Sequence, residues 1–283
     1  MTRPPFEKVA IVGVGLIGGS LGLAIRKRKL AKLVMGVVRR RMPGVQALRK
    51  NAVHGVTMSL KEGVRGAELV LLCAPVSTIV DQIRKLKPML APGALVVDVA
   101  STKVLVHHAA KKYLKGVRFV GAHPMAGSSK KGAQFSEADL FESSVCYLTA
   151  YDAEAERFWR ALGAKVFYLT PEKHDEWVAR TSHLPHILAF AMFQSSHMKK
   201  LQKLGLEATN PSIRDLARLS KSDPKLWADI LLSNKEEILS TLKEYESNVA
   251  YLRKALSAGN ARAIEKFISQ ANSVSHKLAP KIS

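Results

Sequence analysis

The chain has 283 residues, 47% of them hydrophobic, and only two cysteines, so it can bury a substantial core in about two domains and is not built on disulfides. Its formal charge is +21, with 24 Lys+Arg against 8 Asp+Glu in the first 150 residues, a field that draws anions. The aromatic-interleaved basic motif of an RNA-binding module is absent, so nucleic acid is not expected as a partner.

The first element is an apolar run, Val9 to Val12, that ends in Gly13-Val-Gly15-Leu16-Ile17-Gly18 and leads into a helical segment, Leu21 to Lys29. Gly-x-Gly-x-x-Gly between a strand and a helix is the context in which the motif carries weight. Gly13 allows the tight turn, Gly15 leaves room for a pyrophosphate, and Gly18 lets helix and strand pack closely, with the phosphates on the free N–H groups of the helix start. A second strand, Leu33 to Val38, ends in Arg39-Arg40-Arg41, and there is no Asp or Glu between Glu7 and Glu62. A carboxylate at this strand end would accept the ribose hydroxyls of NAD; its absence beside arginines fits the 2′-phosphate of NADP. NADP is therefore expected over NAD, with Val38, Arg39 and Arg40 at the adenosine end.

Further strands are expected at Glu68–Ala74, Ala94–Val99, Val117–Ala122, Val145–Thr149 and Lys165–Leu169, with helical segments between them. Continuous apolar strands alternating with helices predict a mostly parallel sheet covered on both faces. Cys73 and Cys146 read as small buried thiols within strands. Thr170-Pro171-Glu172 starts a run of helices by its N-cap and Pro signals. In the segment 171–204, Pro185 is expected to kink or break the helix. Another helix starts at Ser222-Asp223-Pro224, and two more are expected at about 246–257 and 259–272. This gives a dinucleotide-binding domain over 1–170 and a helical domain over 171–283. No apolar run approaches the roughly 20 residues of a membrane span, and the start lacks the apolar core of a signal peptide. A cytoplasmic protein is expected.

Ligands of a doubly wound sheet sit at the carboxyl ends of its strands. Cys73 and Pro75 follow the third strand, Ser101 the fourth, and His123 sits at the end of the fifth, before Pro124. His123 suits a proton acceptor, since histidine titrates near working pH. Ser101 either orients that imidazole or caps the next helix; from the residues alone the cap is preferred. His183 and His186 share a helix face, but no further ligand completes a metal set, so no metal is expected. Arg214 and Arg218 could grip carboxylates or simply pair with Asp215 or Asp223.

Together these motifs resemble the prephenate/arogenate dehydrogenases of tyrosine biosynthesis. The resemblance rests on Gly13–Ser20, Cys73-Ala-Pro-Val76, Asp98-Val-Ala-Ser-Thr-Lys103, Gly121-Ala-His-Pro-Met-Ala-Gly127, Ser182-His-Leu-Pro-His186 and Arg214 to Trp227. It implies a Rossmann domain followed by a helical domain that forms a homodimer, and an oxidative decarboxylation that aromatises a cyclohexadienol. By resemblance His123 is the catalytic histidine, Ser101 supports it and the nicotinamide, His183 lines the substrate pocket, Arg218 binds a substrate carboxylate, and Arg39 meets the 2′-phosphate. Some prephenate-preferring members carry a glutamate where this chain reads Ser128-Ser129-Lys130. Other readings are a 3-hydroxyacid or 6-phosphogluconate-type dehydrogenase, which relies on a catalytic lysine in the helical domain, and a non-catalytic NADP-binding regulator.

Overall fold

The computed structural model describes residues 5–127, 130–203 and 211–278. Eight strands form one sheet in the order β3-β2-β1-β4-β5-β6-β7-β8. They are β1 Phe6–Val12, β2 Ala31–Val37, β3 Gly55–Thr57, β4 Leu69–Leu72, β5 Leu95–Asp98, β6 Arg118–Pro124, β7 Val145–Leu148 and β8 Lys165–Tyr168. All neighbours pair in parallel except β6 with β7. The direction of winding reverses between β1 and β4, which places the ligand-binding crevice at their carboxyl ends. The short strand β3 is an element that the sequence reading did not anticipate.

The helices of the first part are α1 Leu16–Lys27, α2 Arg41–Arg49, α3 Leu60–Val64, α4 Val76–Leu86, α5 Val104–Tyr113 and α6 Ala153–Ala161. Their apolar faces explain the unbroken hydrophobic strands. Val9 and Ile11 of β1 and Leu69 and Leu71 of β4 pack on one side with Leu21 and Ile25 of α1 and Trp159 of α6. The alternate residues Ala10, Val12, Val70 and Leu72 pack on the other side with Ile79 and Ile83 of α4 and Val106 of α5. Both faces are buried, and each fully buried aliphatic side chain contributes about 1.5–3 kcal/mol.

The later helices are α7 Pro171–Val178, α8 Leu184–Gln194, α9 Ser196–Lys203, α10 Pro211–Ser220, α11 Pro224–Ser233, α12 Lys235–Ser257 and α13 Ala261–Leu278. Thr170 caps α7 through Lys173 N, and Asp223 caps α11 through Leu226 N. Pro185 falls in the first turn of α8, directly after a π turn at Ala179–His183. The widened turn accommodates a ring that would otherwise meet the carbonyl of the preceding turn. The helix that starts at Pro224 stops at Asn234, and α12 then runs unbroken to Ser257, so the expected start near 246 is not a helix boundary. Asn234 is buried and donates through Nδ2 to the Asp175 carbonyl, 2.8 Å away, which takes it out of the helical run.

The chain divides into two compact units, Met1–Lys235 and Glu236–Ser283. The expected boundary near Thr170 lies inside the first unit, because side chains tie α7 and α11 to the sheet part. Asp229 of α11 accepts from Ser77 N at the start of α4, and Ser233 bonds Thr102 at 2.9 Å. In the second unit Tyr251 and Phe267 stack with centroids 5.8 Å apart. Among the described residues no helix is long and apolar enough to cross a membrane.

The glycines of the first turn are not equivalent. Gly13 has φ +103°, and a Cβ on Gly18 would lie 2.1 Å from the Gly13 carbonyl oxygen, whereas a Cβ on Gly15 would meet nothing within 4 Å. Gly18→Ala should therefore overpack the strand–helix junction by about 1–3 kcal/mol. At about 2–4 °C per kcal/mol, its Tm should fall by roughly 2–12 °C. Gly15→Ala should melt with the parent protein; equal Tm values for the two variants would contradict this division.

Candidate active site

The crevice opens over the glycine turn. Helix α1 begins after Gly15 with no side-chain cap and no acidic residue in its first turn. Its leading N–H groups therefore lack the anion that would otherwise satisfy them. Leu16 and Ile17 are half-buried in that turn, and the empty space over Gly15 is the volume that a pyrophosphate would use. Opposite, Gly13 is held between its neighbours by Gly13 N to Val37 O, 2.9 Å, and Cys73 N to Val12 O, 2.8 Å. Cys73 is half-buried rather than buried, and removal from water pushes its thiol pKa up. Pro75 is exposed and precedes the first residue of α4.

At the end of β2, Val38 is turned into the core, 5% exposed, while Arg39 and Arg40 are exposed and make no ion pair among the described residues. The side chain of Val38 thus packs in the core. Its neighbour Gly44 lies so close that a Cβ there would come within 3.2 Å of Val38 Cγ2. The two arginines remain available to an anion.

His123 lies at the end of β6, half-open, beside the end of β5. Its Nδ1 is 2.8 Å from Nε2 of His174 on α7, and the rings meet edge-on with centroids 5.0 Å apart. His174 Nδ1 is in turn 2.7 Å from Asp175 Oδ1. The Asp175 carboxylate also accepts from Lys103 N, 2.7 Å, and Val104 N, 2.9 Å, and so caps α5. The cap thus comes from α7, and the preference for Ser101 as cap is overturned. Ser101 sits half-buried past β5, and its hydroxyl makes no hydrogen bond among the described residues, to His123 included. Beneath His123, the wholly buried Lys103 Nζ pairs with Asp98 and donates to the Ala122 carbonyl, 2.7 Å. Burial, followed by His174, Lys103 and His183, holds the His123 pKa well below the ordinary histidine value. His123 is therefore neutral near pH 7.

In the helical part, His183 is 2% exposed and its Nδ1 is 3.3 Å from Asn234 Nδ2. Burial lowers its pKa to about 4. His186 stacks on Trp227 at 3.8 Å, with Phe190 and His183 edge-on to the same indole. Arg214 and Arg218 lie exposed on α10, and neither pairs with Asp215 or Asp223 among the described residues. Asp223 instead caps α11 and pairs with Lys131. Arg218 is close enough to His186 to lower its pKa, after the larger effect of burial. Ser128 and Ser129, where a glutamate could mark substrate preference, lie outside the described residues.

His174, Asp175 and Asn234 were not singled out from the sequence. The one signal was a His-Asp pair in the first turns of the helix opened by Thr170-Pro171, directly after the last strand. In a doubly wound fold that places it at the crevice edge.

Comparison with known proteins agrees with this architecture. Residues 21–168 match the family described as prephenate dehydrogenase, nucleotide-binding domain, and residues 170–270 match prephenate dehydrogenase, dimerization domain. A cyclohexadienyl dehydrogenase of Zymomonas mobilis is 30% identical over 265 residues, spanning 89% of each chain. The crystal structure of prephenate dehydrogenase from Aquifex aeolicus in complex with hydroxyphenyl propionate and NAD+ superposes with a TM-score of 0.81 at 29% identity, covering 96% of both chains. Synechocystis arogenate dehydrogenase superposes with a TM-score of 0.79 at 28% identity, over 96% of this chain and 100% of that one. The chain belongs to the prephenate/arogenate/cyclohexadienyl dehydrogenase family of tyrosine biosynthesis, with a Rossmann-like nucleotide-binding domain followed by a helical dimerisation domain.

Proposed function

We propose that this member oxidatively decarboxylates prephenate, arogenate or both, with His123 as the proton acceptor and NADP as the preferred cofactor. The observation that carries the reading is His123 itself: a neutral imidazole at a strand end in the crevice, anchored through Nδ1 and half-open. The uncapped start of α1 and the clear space over Gly15 fit a dinucleotide pyrophosphate. The bound nicotinamide supplies the hydride acceptor. His123 Nε2 takes the proton of the ring hydroxyl as the hydrogen on the same carbon departs with its electron pair. Loss of the ring carboxylate as CO2 leaves its bonding pair in the ring, which becomes aromatic, and the proton on His123 returns to the phenolate oxygen.

The remaining expected residues take supporting parts. The unengaged hydroxyl of Ser101 is free to orient cofactor or substrate. His183 receives the Asn234 amide N–H at Nδ1, so its Nε2 carries hydrogen and can donate to a substrate oxygen. Arg218 and Arg214 can hold a carboxylate by charge-assisted bonds, each contributing about 1.5–3 kcal/mol. The division at residue 170 is retained as the functional one, nucleotide before and substrate after. A homodimer is favoured by the dimerisation-domain match and by exposed Leu239, Tyr251, Leu256, Ile268 and Val274 on α12 and α13. Two unpaired thiols suit the cytoplasm.

His123→Asn should lower kcat about 10²–10⁴-fold, the range for losing a general base, with cofactor affinity little changed. In the parent enzyme the acidic fall in kcat/KM, which reports the free enzyme, should lie below pH 6.5. A histidine with a lowered pKa keeps its base form until the pH drops through that lower value. Parent-like turnover by His123→Asn would remove it from the chemistry.

The cofactor reading is tested by kcat/KM with each nicotinamide. NADP should be preferred, and Arg39→Ala combined with Arg40→Ala should lower kcat/KM for NADP about tenfold or more while leaving NAD nearly unchanged, as expected when charge-assisted phosphate contacts are lost. A higher kcat/KM with NAD in the parent enzyme overturns the preference. Placing a carboxylate at Val38 is a poorer test, because that side chain is buried in the core.

A further inference from the structure

We propose that His174 and Asp175 are positioning residues that fix the tautomer of His123, leaving its Nε2 unprotonated toward the crevice. The proposal deepens the reading of His123 as proton acceptor and rests on it. It follows from donor and acceptor counts along one chain of contacts. Asp175 Oδ1 and Oδ2 already accept the backbone N–H groups of Lys103 and Val104, and a carboxylate has only acceptors to offer. The 2.7 Å contact from Asp175 Oδ1 to His174 Nδ1 therefore requires hydrogen on that nitrogen. In the neutral ring, His174 Nε2 is then a lone pair. The 2.8 Å contact between this lone pair and His123 Nδ1 is satisfied only if His123 Nδ1 carries hydrogen. The other nitrogen of His123, Nε2, is left as the acceptor.

Two further features support this order. His174 is 0% exposed and Asp175 1%, so water does not compete for either contact. Burial, the largest effect, lowers the His174 pKa, which keeps its ring neutral and its Nε2 an acceptor. The same arrangement accommodates the charge that appears when His123 takes a proton. Its Nδ1–H then donates more strongly to His174, which is backed by the Asp175 carboxylate. Other charged or titratable groups face these rings. They are Lys103 at the start of α5, Asp98 at the end of β5, His183 in the π turn and Tyr147 on β7. None of them is in hydrogen-bond contact with either nitrogen of His123 among the described residues.

The first measurement uses the unaltered protein. Nitrogen-15 NMR of histidine-labelled protein at neutral pH, with the His123 signals assigned by their loss in His123→Asn, should show hydrogen on Nδ1 and a bare Nε2. Hydrogen on Nε2 overturns the proposal, even if both His174 variants below fail to fold. The second measurement is kinetic. His174→Phe should lower kcat about 10–100-fold with KM changed less than about threefold, and should shift the acidic limb of the kcat profile. His174→Gln places an amide oxygen near the former Nε2 and should restore most of the lost kcat. Equal losses for Phe and Gln, or parent kcat in His174→Phe, would assign His174 to packing. A parent-like His123→Asn enzyme would instead remove the base while leaving the tautomer result intact, so the two failures are distinguishable.

Discussion

The hydrogen bonds of Asp175 hold the crevice together. Its carboxylate accepts the first N–H groups of α5 and the imidazole of His174, and its carbonyl accepts the Asn234 side chain. One residue on α7 thereby connects the helix after β5, the histidine beside β6, and the residue that stops α11. Hydrogen bonds to a charged group contribute about 1.5–3 kcal/mol each, and a donor left unpaired in such a buried place costs a similar amount. The expected cap of α5 was local, from Ser101. The observed cap comes from 71 residues away, which frees the Ser101 hydroxyl and explains why the helical segment stays with the sheet in one compact unit.

A second buried contact sits under the same strand ends. Lys103 and Asp98 are both fully buried and pair with each other, and Lys103 also donates to the carbonyl of Ala122, the residue before His123. Taking two charges out of water is expensive and is repaid only when the remaining donors and acceptors are met. Here the repayment is incomplete, since Asp98 Oδ2 has no partner among the described residues. The pair is thus a costly way to gain stability but an effective way to fix the backbone of β6 against β5. Gly121 belongs to that packing, because a Cβ there would lie 3.1 Å from Asp98 Oδ2 and 2.9 Å from His107 Nε2.

Much of the sheet was legible because strands buried on both faces are written as unbroken apolar runs, as in Leu69–Leu72 and Leu95-Val96-Val97. The strand β3 was not, since its three residues are only half-buried and include a glycine. The glycine turn was legible in type and in part by role, with Gly18 packed and Gly15 open. The burial of Val38 was not legible, because the alternation of a strand does not reveal where the residue after it turns. Asn234 read as one more polar residue in a helical run, yet its bond to the Asp175 carbonyl ends that run. His123 could be found from its place at a strand end. The His174-Asp175 pair after the last strand points to the crevice edge but not to His123, 51 residues earlier, because that contact depends on how α7 lies across the ends of β6 and β7.

The same charge distribution that draws anionic ligands creates a problem for a histidine base. Burial first, then His174, Lys103 beneath the ring and His183, disfavour the imidazolium and so keep the His123 ring neutral. In the proposed reaction, however, the protonated state must be reached. A base with only Lys103 and apolar walls around it would be too weak to take the hydroxyl proton. Asp175 is the counterweight: it stands two hydrogen bonds from His123, too far to raise the resting pKa above the effect of burial, yet aligned to stabilise positive charge along the His123–His174 axis once it forms. Substrate carboxylates at Arg218 and Arg214 would, in the proposed reaction, add negative potential when the site is filled. In the proposed reaction the imidazole is therefore kept neutral in the empty site and becomes a better proton acceptor as substrate arrives.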